Sequence, residues 1–295
     1  MSDHVFFDRI AIFGVGLMGG AVALQIKKNG LAGSIAGIGR NEESLKKAVE
    51  AGLIDEWSLD FEESAGNCNL LILALPVSSI LEYLPKAAGV VKPGCIVTDI
   101  GSVKKDIVKT GNEAFSKRKD AWFAGSHPLC GSDLSGFENS SSVPMENRTC
   151  FVTIDDDTEQ ESAAKVALFW KSLGMTPFLM APEKHDILMA AFSHMPHLMA
   201  AALVNASGKC TDYDMNLLAR SAGDGFRDAT RIAGSDAALW SDICLRNTEN
   251  LTECLEKLED EIKMIRNALE TGDEETMKDL LQSARTFRTL IDKLS

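Results

Sequence analysis

Five histidines stand in the chain, at positions 4, 127, 185, 194 and 197, and their settings differ. His127 lies in Gly125-Ser-His-Pro128, at the end of a candidate strand and just before a stretch from Gly131 to Arg148 rich in Gly, Ser and Asn. An imidazole there is placed to act as a general base or hydrogen-bond acceptor at neutral pH. His194 and His197 are three residues apart on an apolar helical stretch, with Pro196 between them as a candidate kink. Three readings fit that pair: a metal site lacking an evident third ligand, two satisfied core histidines, or the lining of an anionic substrate pocket. Arg227 and Arg231, four apart, share a helix face with Asp224 and Asp228 beside them. Ion pairing is the plain account of that cluster; Arg231 also suits a planar carboxylate, which a guanidinium holds with two parallel bonds.

A second constellation concerns phosphate. Gly14-Val-Gly-Leu-Met-Gly-Gly20 directly follows the first candidate strand and opens a helix. In this pattern Gly14 permits the tight turn, Gly16 lets backbone approach a pyrophosphate, and Gly19 lets helix and strand pack closely. Leu17 and Met18 share the turn, and the phosphates sit on the helix N-terminus, where free N–H groups favour anions. The motif predicts a dinucleotide, NAD or NADP. The second strand then ends Ile38-Gly-Arg-Asn41, with no carboxylate at its tip to take the ribose hydroxyls. Arg40 either meets a 2′-phosphate or adenine, which leans towards NADP, or is a solvated helix-start residue. Leu75-Pro76 and Asp99-Ile-Gly101-Ser102 fall at the carboxyl ends of later strands, the edge of an open α/β sheet where ligands bind. Ser102 serves there as a helix cap, as a hydroxyl aimed at substrate, or as both.

These residues need elements to hold them. Candidate strands are Arg9–Phe13, Ser34–Ile38, Leu70–Leu75, Cys95–Asp99, Trp122–Ala124, Cys150–Ile154 and Thr176–Met180, separated by helical patterns; Asn41 caps one helix, which Gly52 ends. That alternation predicts an α/β, Rossmann-type doubly wound sheet over residues 1–181. After Pro182 strand signals stop, and an all-α domain over 182–295 is expected. Its first helix, Glu183 to Ser207, is too apolar for a surface element and is expected to run through that domain's middle, stopping at Gly208. Leu251, Leu255, Leu258, Ile262, Ile265 and Leu269 form a heptad-like seam that needs a partner helix. Thr271-Gly-Asp-Glu274 reads as a stop followed by a capping box. The seam and the apolar helix together predict a homodimer.

Composition excludes other classes. The chain has 295 residues, 30 basic against 43 acidic, a net charge of −13 that argues against nucleic acid as a ligand. Residue by residue, clean apolar runs such as Leu70 to Leu75 fall short of a membrane span. Met1-Ser-Asp-His4 lacks the pattern of a signal peptide, and seven cysteines with no Cys-x-x-Cys pair suit reduced thiols, so a cytoplasmic setting is expected.

Taken together, Gly14-Val-Gly-Leu-Met-Gly-Gly20, Asp99-Ile-Gly-Ser-Val-Lys104, Gly125-Ser-His-Pro-Leu-Cys-Gly131, Ser193-His-Met-Pro-His197 and Thr230-Arg-Ile-Ala-Gly-Ser-Asp236 resemble the prephenate (cyclohexadienyl, arogenate) dehydrogenase family almost end to end. The resemblance implies NAD(P)-dependent oxidative decarboxylation of prephenate to 4-hydroxyphenylpyruvate in tyrosine biosynthesis, with a helical C-terminal domain that forms the dimer. It implies that His127 draws the proton from the ring 4-hydroxyl as hydride leaves C4, and that Ser102 orients that hydroxyl. Arg231 matches the arginine for a substrate carboxylate, with His194 and His197 lining its pocket; His185 and Asp228 match positions that pair across the entrance. Cys130 departs from the usual small residue, and Gly39-Arg40 from the usual acidic tip, which leaves the choice between NAD and NADP open. Neither a chorismate mutase segment nor a regulatory domain is expected at this length, so any tyrosine inhibition acts at the active site. Prephenate and arogenate are not told apart. A β-hydroxyacid dehydrogenase is the nearest enzyme rival, but that family resembles this one in architecture and carries a catalytic Lys on the central helix, whereas 188–208 holds none. A non-catalytic NAD(P)-binding sensor would not need His127, Ser102 and Arg231 together.

Overall fold

The computed structural model describes residues 6–131, 134–210 and 212–294, so His4 lies outside the described residues. Strands β1 (Phe7–Phe13), β2 (Ala32–Ile38), β3 (Glu56–Ser58), β4 (Leu70–Leu73), β5 (Ile96–Asp99) and β6 (Trp122–Phe123) form one parallel sheet in the order β3-β2-β1-β4-β5-β6. Helices α1 (Leu17–Asn29), α2 (Glu42–Glu50), α3 (Phe61–Gly66), α4 (Val77–Val90) and α5 (Lys105–Phe115) make the connections. Both faces are covered because side chains alternate: Leu70 and Ile72 pack beside Ile10, Ile12 and Val22 on one side, while Leu71 and Leu73 pack beside Phe13, Ile80 and Leu84 on the other. The order reverses between β1 and β4, which opens a crevice at their carboxyl ends.

Local chemistry sets the element ends. Asn41 Oδ1 accepts Ser44 N–H at 3.0 Å and caps α2, as its position predicts. Gly14 has φ +99°, and a Cβ there would lie 2.2 Å from the Ala74 carbonyl oxygen; at Gly19 it would lie 2.0 Å from that of Gly14. Only glycine closes this turn so tightly against β4.

The expected single sheet is corrected beyond β6. β7 (Ser126–Pro128), β8 (Thr149–Thr153) and β9 (Thr176–Met180) form a separate three-stranded sheet, with β7 antiparallel and β9 parallel to β8. Three polar or proline residues give β7 no apolar alternation to read; Pro128 is tolerated because β7 is an edge strand. Helix α6 (Gln160–Ser172) buries Phe169 and Trp170 against the first core.

Next come α7 (Pro182–Met189), a π-helical segment (Ala190–His194) and α8 (Met195–Ser207), in place of one regular helix. These 26 residues are long and apolar enough to cross a membrane by length and composition, which corrects the reading from clean apolar runs alone. Histidines, Ser193 and Pro196 interrupt those runs, yet no charged side chain occurs from Ile187 to Gly208. The segment instead buries His185, Asp186, His194 and His197 in this unit. It is also more exposed than expected: Ile187, Phe192 and Leu203 lie open on the chain. Helices α9 (Met215–Ser221), α10 (Asp224–Thr230) and α11 (Ala237–Arg246) complete a compact unit ending at Asn247.

The second unit, 248–295, contains α12 (Thr248–Thr271) and α13 (Glu274–Leu294). Gly272 at φ +67° stops α12, and Asp273 rather than Thr271 caps α13, accepting Thr276 N–H at 3.1 Å. Ile262, Ile265 and Leu269 of the seam are exposed.

One buried ion pair braces the sheet's carboxyl edge. Asp99 and Lys104 are both fully buried and joined through Oδ2 and Nζ. Asp99 also accepts Gly101 N–H at 2.8 Å and Ser126 N–H at 3.1 Å. Breaking such a pair from one side leaves an uncompensated charge. Lys104→Met should therefore lower the unfolding free energy by about 3–5 kcal/mol in urea titrations; a loss below about 1 kcal/mol would show that the pair does not brace the edge.

Candidate active site

Two cavities meet at the carboxyl edge of the main sheet. The larger, ≈ 780 Å³, is lined by Leu17 and Met18 of the glycine turn, Leu75 and Pro76 after β4, Gly101 after β5, and His197. The smaller, ≈ 500 Å³, is lined by His127, Arg148, Met189 and Ser193 among others. Ser102, Cys130, Gly131 and Trp240 line both. A third hollow, ≈ 510 Å³ and open to solvent, is lined by Arg40, Asn41, Glu42, Glu43 and Lys46.

The first cavity suits a dinucleotide. Gly16 precedes α1, no side chain caps that helix, and its first turn carries no acid, so N–H groups are open to an anion. A Cβ at Gly16 would meet nothing within 4 Å, which leaves backbone free for close approach. Pro76 begins α4 by fixing the chain's direction, and Asp242 supplies the cap that Pro76 cannot: its Oδ2 accepts Ser78 N–H at 2.9 Å, and Ser78 Oγ also bonds it.

Ser102 does not cap α5. Asp186, some eighty residues on, does so by accepting the Lys104 N–H at 2.7 Å and the Lys105 N–H at 2.9 Å. This leaves the Ser102 side chain to the cavity walls. His127 is buried on β7, with Nδ1 2.8 Å from His185 Nε2. His185 Nδ1 is in turn 2.7 Å from Asp186 Oδ1. The expected pairing of His185 with Asp228 is thereby corrected: both ring nitrogens of His185 are engaged elsewhere, and Asp228 is exposed.

The other two histidines part company. His197 stacks on Trp240 with ring centroids 3.4 Å apart and lines the larger cavity. His194 is fully buried, its Nδ1 3.1 Å from Asn247 Nδ2, and it is not among the lining residues of either cavity. Among the described residues no group of three or more His, Cys, Asp or Glu could hold a metal ion. Arg227 donates to the carbonyls of Ala219 and Ala222, while Arg231 opens a 3₁₀ turn, exposed, next to the cavity residue Ile232. Arg231 itself is not among the lining residues. Reading the sequence missed Trp240, His185 in its bonded role, and Asp186; a histidine–aspartate dipeptide near a proline-initiated helix is too common a pattern to single out.

Burial dominates the electrostatics. It holds His127 well below the usual imidazole range, aided by the nearby Lys104 charge. It brings His185 down to about 2 and His194 to about 4. Burial likewise raises Asp99 and lowers Lys104, with their mutual attraction pulling each back. All three imidazoles are therefore neutral at pH 7. Cys130, pushed up to about 12, stays a thiol in the cavity wall.

Residues 22–177 match the family model described as the nucleotide-binding domain of prephenate dehydrogenase, and residues 181–283 the one described as its dimerization domain. A prephenate dehydrogenase of Bacillus subtilis is 32% identical over 285 residues, 95% of this chain and 75% of that protein. A cyclohexadienyl dehydrogenase of Zymomonas mobilis is 28% identical over 90% of both chains. Among solved structures, prephenate dehydrogenase from Aquifex aeolicus in complex with hydroxyphenyl propionate and NAD+ superposes with a TM-score of 0.87 at 31% identity, covering 96% of this chain and 98% of that one. Arogenate dehydrogenase of Synechocystis gives 0.78 at 27% identity, covering 97% of this chain and 100% of that one.

The buried imidazoles carry a pH signature. A histidine depressed on folding binds fewer protons folded than unfolded, so stability is complete above the unfolded value near 6.5 and is lost as pH falls towards the folded value. Between pH 7 and pH 5, His127, His185 and His194 should each remove up to about 2 kcal/mol, and Tm should drop in thermal scans. A rise in Tm over that interval would mean that the burial-raised carboxyls Asp99 and Asp186 govern the linkage instead.

Proposed function

The chain belongs to the prephenate dehydrogenase family and is a nicotinamide-dependent oxidoreductase, and we propose that it converts prephenate to 4-hydroxyphenylpyruvate with His127 as base. The observation that carries this reading is the placement of His127 and Ser102 on the walls of one cavity, with Ser102 also facing the cavity of the glycine turn. Gly14, Gly16, Leu17, Met18 and Gly19 would hold the dinucleotide phosphates, with Leu75, Pro76 and Gly101 towards its nicotinamide end. A nicotinamide held there would supply the hydride acceptor for C4 of the ring.

Neutral His127 accepts the proton of the ring 4-hydroxyl, which Ser102 orients. The hydroxyl oxygen becomes a carbonyl, the bond from C1 to the carboxylate breaks to release carbon dioxide, and its electron pair passes through the ring to that oxygen, which takes up a proton as the ring turns aromatic. Arg231 binds a substrate carboxylate, with His194 and His197 behind that pocket. The family match supports this role for Arg231, which precedes the cavity residue Ile232 in the chain. Arogenate, carrying an amino group for the side-chain keto group, is the second substrate this reading admits. A cytoplasmic homodimer is part of the same reading, supported by the dimerization-domain match and by the open apolar side chains of α7, α8 and α12.

His127→Asn should lower kcat and kcat/KM together by about 10²–10⁴-fold, the range of a general base. Arg231→Ala should raise KM strongly and change kcat less, because a carboxylate charged throughout contributes uniform binding. Steady-state kinetics reversing that pattern would refute both roles.

Cofactor choice turns on Arg40. Glu42 and Glu43 share its hollow, but each is bonded to a lysine one turn on, Lys46 at 2.7 Å and Lys47 at 2.8 Å. A 2′-phosphate would then meet little net repulsion, so activity with both NAD and NADP is expected. Arg40→Ala should weaken NADP more than NAD when both cofactors are titrated. An unchanged preference would remove Arg40 from the cofactor contacts.

A further inference from the structure

The reading of His127 as base leaves two things unassigned: which ring nitrogen accepts the proton, and what the buried His185 and Asp186 are for. The hydrogen bonds answer both. Three donors converge on the two oxygens of Asp186, the N–H groups of Lys104 and Lys105 and the Nδ1 of His185. That arrangement suits a carboxylate, which only accepts, so Nδ1 of His185 carries the hydrogen. His185 is neutral at working pH, so its Nε2 is a bare lone pair. The atom facing that lone pair at 2.8 Å is Nδ1 of His127. Two lone pairs cannot share a hydrogen bond, so His127 Nδ1 carries a hydrogen and its Nε2 does not.

We propose that His185 and Asp186 are positioning residues that lock His127 in the Nδ1–H tautomer, holding the Nε2 lone pair ready for the ring hydroxyl. This rests on His127 being the base. Asp186 cannot move without uncapping α5, because it accepts the N–H of Lys104, just before that helix, and of Lys105, its first residue. Phe151 of β8 packs edge-on to His185, ring centroids 5.5 Å apart. The charged or titratable groups around the pair are Lys104 of the α5 start, Asp99 of β5, His194 of the π segment and Cys150 of β8. Burial, and after it the nearby Lys104, disfavours a positive charge on either imidazole.

Substitution at His185 separates orientation from packing. Gln places an amide oxygen near the position of Nε2 and keeps the acceptor, while Leu fills similar space without one. His185→Leu should lower kcat by about 10²-fold, within the range ascribed to a general base, with KM and NAD(P)H affinity little changed. His185→Gln should recover kcat to within about tenfold of wild type. Equal losses in both variants, at unchanged Tm, would overturn the proposal, as would wild-type kcat in the Leu variant. Should the Leu variant not fold, the Gln variant still decides: a loss well beyond tenfold at unchanged Tm refutes the tautomer lock. His127→Asn assayed alongside keeps the two readings apart. If it leaves kcat intact, the base assignment has failed; if it falls while His185→Leu does not, only the positioning pair has.

Discussion

The carboxylate of Asp99 ties together the two loops on which the chemistry depends. It ends β5, bonds the N–H of Gly101 one residue before Ser102, bonds the N–H of Ser126 one residue before His127, and meets the buried Lys104. Ser102 follows β5 of the parallel sheet and His127 lies within β7 of the three-stranded one, so no single element fixes their separation. A fully buried ion pair is costly by desolvation and seldom the best way to gain stability. Here its geometry sets the register between the parallel sheet and the three-stranded one, and Thr98 and Trp170 reinforce that register through the Ser126 hydroxyl.

Above this brace the helical segments dock by the same device used twice. Asp186 caps the start of α5 and Asp242 the start of α4, each from a helix far along the chain. Helix N-termini at the carboxyl edge of a parallel sheet point unsatisfied N–H groups towards whatever covers them. Carboxylates from the covering helices therefore bind there favourably, while the α1 N-terminus is left uncapped for an anionic ligand. Two capped ends and one open end distinguish docking from cofactor binding with the same physics.

The helical region trades local satisfaction for exposure. Its buried histidines and Asn247 are bonded within the first unit, yet Phe192, Leu203, Ile262 and Leu269 remain open on a single chain. Apolar area of this kind costs free energy in water and is what a dimerization domain, the description its family model carries, would cover.

Much of the site was legible because its physics is local. A turn that must bring backbone to within contact of β4 requires Gly14 and Gly19 whatever surrounds it, and Asn41 caps α2 from its own sequence position. Alternating apolar runs likewise determine a sheet covered on both faces, and the Ser102 motif falls after a strand end by simple counting. Tertiary structure alone decided what depends on distant partners. It made β7 a strand despite its polar residues, since pairing with β8 supplies the stability that side-chain pattern does not. It turned His194 towards Asn247 and His197 onto Trp240, which spacing along a helix cannot distinguish. It also gave His127 its partner, 58 residues away and invisible to any local rule, because a hydrogen bond is set by where two folded segments meet and not by the residues beside either one.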